Sequence, residues 1–142
     1  MYDTQLILKD EGLVAASAAA QVDAEDQILN VGAGLVKGFM VVDLNAVEIA
    51  DNDERYDIII QGSSESDFSD DISNLATLTL GALEVTGESA DPTVGEFRVP
   101  FCTQIKKAGT VYPYVRAYTR VSGTIATGIN YAAWIENVVN MP

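Results

Sequence analysis

Tyr112-Pro113-Tyr114-Val115-Arg116-Ala117-Tyr118-Thr119-Arg120-Val121 alternates with a period of two. Tyr112, Tyr114, Arg116, Tyr118 and Arg120 fall on one side; Pro113, Val115, Ala117, Thr119 and Val121 fall on the other. Successive strand residues point to opposite faces of a sheet. The small apolar row is therefore expected to line a core and the tyrosine/arginine row to face outward. Tyr and Arg combine large contact area with a polar end, which is why they anchor so many protein–protein contacts. The same row also makes a sound cross-strand ladder on a solvated face, and taken alone it leaves both roles open.

Working outward from this strand, Lys106-Lys107-Ala108-Gly109 predicts the turn that leads into it, and Gly123 to Gly128 the turn that leaves it. Ile129 to Val139 then reads as a closing strand carrying Tyr131, Trp134 and Ile135, with Trp134 in core or sheet surface. Upstream, Phe97, Val99 and Phe101 alternate against Glu96, Arg98 and Cys102, and Pro100 in that run predicts an edge strand or a bulge. Val36 to Leu44 predicts a buried strand that Val47-Glu48-Ile49 continues past a bend. Asp51 to Glu54 is a turn, and Tyr56 to Gln61 a strand stopped by Gly62-Ser63-Ser64. Ser66 to Ser73 reads as a polar loop, Leu75 to Val85 as an alternating strand and Gly87 to Val94 as a loop.

The N-terminal part is less regular. Tyr2 to Lys9 reads as a short strand or arm that ends in the turn Lys9-Asp10-Glu11-Gly12. Ala15-Ala16-Ser17-Ala18-Ala19-Ala20 has strong helix propensity but little room, and helix and irregular loop both remain open there. Roughly six to nine short strands with no alternating helix predict an all-β antiparallel sandwich or barrel. One domain is expected over residues 1–142, with 1–12 as an N-terminal arm.

Composition narrows the function classes. Hydrophobic residues at 48% and charged residues at 20% describe a folded chain. No apolar run approaches the roughly 18 residues of a membrane span. The opening Met1-Tyr2-Asp3-Thr4 lacks the basic and apolar stretches of a signal peptide, so synthesis in the cytoplasm is expected. Cys102 is the single cysteine and is read as a small packing residue. The absence of histidine removes the commonest general base and transition-metal ligand, and with it Ser–His and Cys–His catalysis. Only a carboxylate hydrolase survives among enzymes.

The net charge is −13 and uneven. Residues 1–96 carry 20 acids against three bases, a net −17, while residues 97–142 carry five bases against Glu136, a net +4. An acidic body repels phosphate backbones, so nucleic-acid binding is disfavoured. Asp51-x-Asp53-Glu54 approaches a calcium loop but places Tyr56 and Gly62 where an EF-hand needs Gly and Glu. The cluster Asp67, Asp70 and Asp71 is likewise read as a solvated turn. Gly32-Ala33-Gly34 is no phosphate loop, because the Gly-x-x-x-x-Gly-Lys pattern is missing. No cofactor or metal is expected.

Three stretches carry a family likeness: Tyr2-Asp3-Thr4-Gln5-Leu6; Asp57-Ile58-Ile59-Ile60-Gln61-Gly62-Ser63 with Ser66-Asp67-Phe68; and Tyr114-Val115-Arg116-Ala117-Tyr118 with Gly123-Thr124 and Ile129-Asn130-Tyr131-Ala132-Ala133-Trp134. With them the chain resembles the capsid cement (decoration) proteins of tailed bacteriophages, of the Bordetella-phage type. The resemblance spans nearly the whole chain on structural motifs. It implies a jelly-roll domain on the outside of an icosahedral shell, bridging major capsid subunits, often as a dimer. No contact residue is carried over from the family.

The residues themselves set the expected contacts. Tyr112, Tyr114, Arg116, Tyr118 and Arg120 are expected to meet the major capsid protein or a second copy of the chain, with a dimer favoured and a trimer possible. Lys106 and Lys107 are expected to add charge complementarity, and the arm with Tyr2 and Leu6 to pair with a partner's sheet edge. The expected location is the outer capsid surface of a virion, with no membrane or nucleic-acid partner. The competing expectation is a carbohydrate- or calcium-binding β-sandwich module.

Overall fold

A computed structural model describes residues 7–23, 25–32, 34–88, 92–104 and 111–141, the last five through their backbone only. The chain order is β1 (Ile7–Val14), β2 (Ala18–Ala19), β3 (Gln21–Val22), β4 (Glu25–Asp26), β5 (Leu29–Asn30), β6 (Leu35–Val47), β7 (Arg55–Ser63), β8 (Ile72–Gly81), α1 (Leu83–Thr86), β9 (Gly95–Cys102), β10 (Tyr114–Ser122) and β11 (Ile129–Met141). The first sheet runs β1-β11-β6-β9 and the second β2-β10-β7-β8, with β5 also on β10; β3 and β4 pair with each other. Every ladder is antiparallel. The two sheets pack as an all-β sandwich.

Period-two alternation builds the interior. Met40, Val42 and Leu44 of β6 face Tyr56, Ile58 and Ile60 of β7, joined by Val115 and Ala117 of β10 and by Ile129, Tyr131, Ala133 and Ile135 of β11. One apolar cluster thus takes side chains from both sheets, each large aliphatic residue adding about 1.5–3 kcal/mol on burial. Thr119 continues the inward row of β10, and its hydroxyl hydrogen-bonds that of Tyr131 on the opposite sheet. Pairing is nested: β1 with β11, β2 and β5 with β10, β6 with β9, β7 with β8. The first half of the chain lies against the second in reverse order, like one long hairpin rolled over on itself.

Several expectations are met in position. Pro100 sits in β9, the outermost strand of the first sheet, where a missing N–H costs no ladder bond on the open side. Asp51 to Glu54 forms a turn between β6 and β7. Others need correction. Ala15 to Ala20 is neither helix nor irregular throughout: Ala18 and Ala19 pair with Thr119 and Tyr118, and the Ala20 N–H donates to the Ala117 carbonyl at 2.9 Å. A short isolated helix is costly to nucleate, whereas the edge of β10 offers ready partners. The β6 strand runs unbroken to Val47, and β7 continues through Gly62 to Ser63. The Leu75–Val85 strand instead spans Ile72–Gly81 and gives way to α1.

The loops at one end of the sandwich are latched by carboxylates. Glu54, fully buried, accepts the N–H groups of Asp51 at 2.9 Å and Asp53 at 3.1 Å. Asp53 in turn accepts the Thr124 N–H at 3.0 Å and its hydroxyl at 2.8 Å. Gly123 makes this approach possible. Its φ is +98°, and a Cβ there would meet the Asp53 carbonyl oxygen at 2.2 Å. These bonds fix where β7 begins and β10 ends, and hence where Arg55 and Arg120 stand.

Candidate functional site

Antiparallel register places the outward row of β10 beside the outward row of β7: Tyr114 by Ser63, Arg116 by Gln61, Tyr118 by Ile59 and Arg120 by Asp57. The expected division of faces holds for Val115, Ala117 and Thr119, all buried, and for Tyr114, Arg116, Tyr118 and Arg120, all partly or fully exposed. Tyr112 departs from it. It precedes β10, is 3% exposed, and donates to or accepts from Ser73 Oγ at 2.9 Å. Its ring lies over Gly62, where a Cβ would come within 2.9 Å of the Tyr112 Cβ. The alternation that orients β10 begins at Tyr114, so Tyr112 belongs to the protein's own packing and is removed from the candidate face.

Arg116 is the most constrained member. Its Nε donates to Gln61 Oε1 at 3.0 Å, and Gln61 Nε2 donates onward to Asn74 Oδ1 at 3.0 Å on β8. The guanidinium lies 4.5 Å from the Phe68 ring centroid and 5.4 Å from that of Tyr118. Stacking on aromatic faces preorganises a cation that would otherwise lose side-chain entropy on docking. Phe68, 5% exposed, arrives on the loop between β7 and β8. Partial burial lowers the Arg116 pKa from its ordinary value, against the opposing pull of Tyr118 and Asp26.

Arg120 Nε donates to Asp57 Oδ2 at 3.3 Å, Arg55 Nε to Asp57 Oδ1 at 3.5 Å and Thr79 Oγ1 to Asp57 Oδ1 at 2.7 Å. The Arg55 and Arg120 side chains remain 46% and 56% exposed. Across the strands of this sheet the charged residues are Arg55, Arg116 and Arg120 against Asp57, a net +2 on a chain of net charge −13. Ile59, only 1% exposed although it points away from the main core, forms the apolar floor between Tyr118 and Thr77.

Reading β10 alone misses Arg55, Ile59, Gln61 and Phe68. The odd-numbered row of β7 carried the signal, but Ile58-Ile59-Ile60 reads as buried on both sides and hides the alternation. Lys106, Lys107, Tyr2 and Leu6 lie outside the described residues.

The acidic turn has a different occupation from that of a calcium loop. Carboxylate oxygens of Glu48, Asp51 and Glu54 lie within 4.8 Å of one another. Glu48 accepts the N–H groups of Ala126, Thr127 and Gly128 at 2.7–3.1 Å, and Glu54 those of Asp51 and Asp53. Amides of Gly128 and then Thr127 hold the Glu48 carboxyl below its ordinary range. The Glu48 and Glu54 carboxylates are thus engaged in loop closure, while Asp51 is exposed. No helix among the described residues is long and apolar enough to cross a membrane. Comparison of the chain with protein-family models, curated proteins and solved structures finds no match.

Proposed function

We propose that the chain is a capsid cement protein: a non-catalytic structural protein that binds the outer surface of an icosahedral phage shell and bridges its major capsid subunits. The observation that carries this reading is the cationic, aromatic face of Tyr114, Arg116, Tyr118, Arg120 and Arg55 on a strongly acidic chain. Such a face is attracted to an acidic protein surface and sets the orientation of approach. Exposed ion pairs are worth little, so Arg55 and Arg120 keep most of their capacity for a partner.

Two further points support it. The resemblance to cement proteins includes Tyr114 to Tyr118, the strand that builds the face. The nested strand pairing fits a jelly roll, in which two Greek keys share two sheets. The partners in this reading are the major capsid protein and a second copy of the chain, without cofactor, membrane or nucleic acid. The setting is the virion exterior after synthesis in the bacterial cytoplasm.

Truncating an interface Tyr or Arg anchor costs about 2 kcal/mol or more, about thirtyfold in affinity. Arg116→Ala combined with Tyr118→Ala is expected to weaken binding to purified shells by at least that factor. Unchanged melting of the free variant serves as the folding control. A double variant that saturates shells at wild-type concentrations would reject the face. Absence of the protein from particles purified to stoichiometric shell composition would reject the function.

A further inference from the structure

Among the described residues the two large sheets end in four edges, and three of these are covered or carry devices that discourage pairing. β1 holds Lys9, Asp10 and Glu11 and two register shifts against β11. β9 holds Glu96, Arg98 and Pro100. The side of β10 away from β7 is met, among the described residues, by the two-residue strands β2 and β5 and by Ser17 and Ala20. Charges, proline, bulges and brevity are the means by which natural sheets keep their edges from joining another chain.

β8 has almost none of them. Ile72-Ser73-Asn74-Leu75-Ala76-Thr77-Leu78-Thr79-Leu80-Gly81 is ten residues long without a charge or a proline, and β7 is its only ladder partner among the described residues. A register shift beside Leu75 interrupts its start, and Ala76 to Gly81 then pairs with β7 in unbroken register. On its inner side lies a largely apolar hollow of about 300 Å³ lined by Leu78, Leu80, Phe97, Pro92, Thr86 and Glu88. An unpaired backbone next to an apolar hollow is the arrangement that strand addition uses. The ladder supplies the bonds and the hollow takes alternate side chains.

We propose that β8 pairs antiparallel with β8 of a second copy, about a two-fold axis through Leu78. In that register Thr77 faces Thr79 of the other copy on the outer side. Leu78 faces Leu78, and Ala76 faces Leu80, toward the two hollows. The segment is thus complementary to itself. Glu88 stands at the lining of each hollow, but Ile72–Gly81 carries no charge, so no carboxylate is brought against another within the ladder. That matters for two bodies of charge −13 each. Ile72, 42% exposed, marks one end of the edge, and Gly81, beyond which α1 follows, marks the other. Antiparallel pairing about Leu78 brings Leu75 of one strand opposite Gly81 of the other. About six new backbone hydrogen bonds form over so short a ladder, which suits a dimer in the micromolar range rather than an obligate one.

The outer face of β10 and β7 takes no part in this contact, so it stands independently of the shell reading and is tested on the free chain. Sedimentation equilibrium of the wild type is expected to show a reversible monomer–dimer equilibrium. Thr77→Lys supplies the missing edge charge at an exposed position and is expected to weaken association about tenfold or more with melting unchanged. Leu78→Cys, in a chain carrying Cys102→Ser, is expected to form a disulfide-linked dimer in mild oxidant, since facing strand positions lie within disulfide reach. A chain that stays monomeric at about 100 µM overturns the proposal. So does a Thr77→Lys dimer as tight as wild type, or a folded Leu78→Cys chain that remains reduced.

Discussion

Replacing Asp57 with alanine distinguishes two fates for the arginines of the β10 face: held by the monomer, or left for a partner. The residue is 5% exposed and receives Thr79 Oγ1 at 2.7 Å, Arg120 Nε at 3.3 Å and Arg55 Nε at 3.5 Å. A short hydroxyl bond to a buried carboxylate contributes about 1.5–3 kcal/mol. The guanidiniums are half exposed, so water and salt screen them and each pair adds only about 0.2–1 kcal/mol. Asp57→Ala should therefore cost about 3 kcal/mol, a fall of about 10 °C in melting temperature for a chain of this size. Most of that loss belongs to Thr79. Double-mutant cycles in urea unfolding, using Asp57→Ala with Thr79→Val and with Arg120→Ala, apportion it. Coupling to Thr79 should exceed about 1 kcal/mol; coupling to Arg120 should be smaller and should vanish at high salt. An Arg120 coupling that is the larger and ignores salt would refute the reasoning, because that guanidinium would be an internal structural cation.

Further outcomes follow from the latched loops. Gly123→Ala forces a side chain onto the Asp53 carbonyl at a φ of +98°, and should destabilise by about 3 kcal/mol in urea unfolding. The Thr124 N–H and then its hydroxyl depress the pKa of Asp53, as Gly128 and Thr127 amides depress that of Glu48. For a depressed carboxylate, the stabilisation is complete above the unfolded value and is lost as pH falls through the folded one. Unfolding free energy should thus drop progressively below about pH 4.5, and Glu48→Gln should flatten that slope. Added calcium should leave the melting temperature unchanged, since the Glu48 and Glu54 oxygens already accept loop amides; a rise would establish an ion site.

What the sequence discloses depends on whether one strand's pattern suffices. Val115, Ala117 and Thr119 follow their period inward, and Pro100 finds a sheet edge, because both are local consequences of backbone geometry. Ala18 and Ala19 illustrate the opposite case. Their propensity favours helix, yet their pairing with β10 is decided about a hundred residues away in sequence. Tyr112 fails for a similar reason. Nothing in its own segment reveals that Gly62 leaves room for its ring or that Ser73 offers a hydroxyl. The candidate face was legible only in its β10 half, since the β7 half exists through register, which no single strand contains.

Register also sets how charge divides between the two outer faces of the sandwich. Each sheet buries one apolar residue on its outer side, Val41 on the first and Ile59 on the second, beneath aromatic and arginine side chains. The arginine of the first sheet is consumed at home: Arg98 Nη1 lies 2.7 Å from Glu136 Oε2 and 3.6 Å from Glu96 Oε1. Trp134 Nε1 also donates to Glu136 at 3.0 Å. Counted over their strands, the first sheet carries Lys9, Lys37 and Arg98 against Asp10, Glu11, Asp43, Glu96 and Glu136, a net −2. The second carries a net +2. In the proposed shell reading, a carboxylate-rich surface would favour the second sheet over the first, and the molecule would dock with β10 and β7 leading. Arg55→Glu with Arg120→Glu brings the second sheet to −2, equal to the first, and should abolish the orientational bias in a shell-binding assay, with some loss of melting temperature because three carboxylates then meet at Asp57.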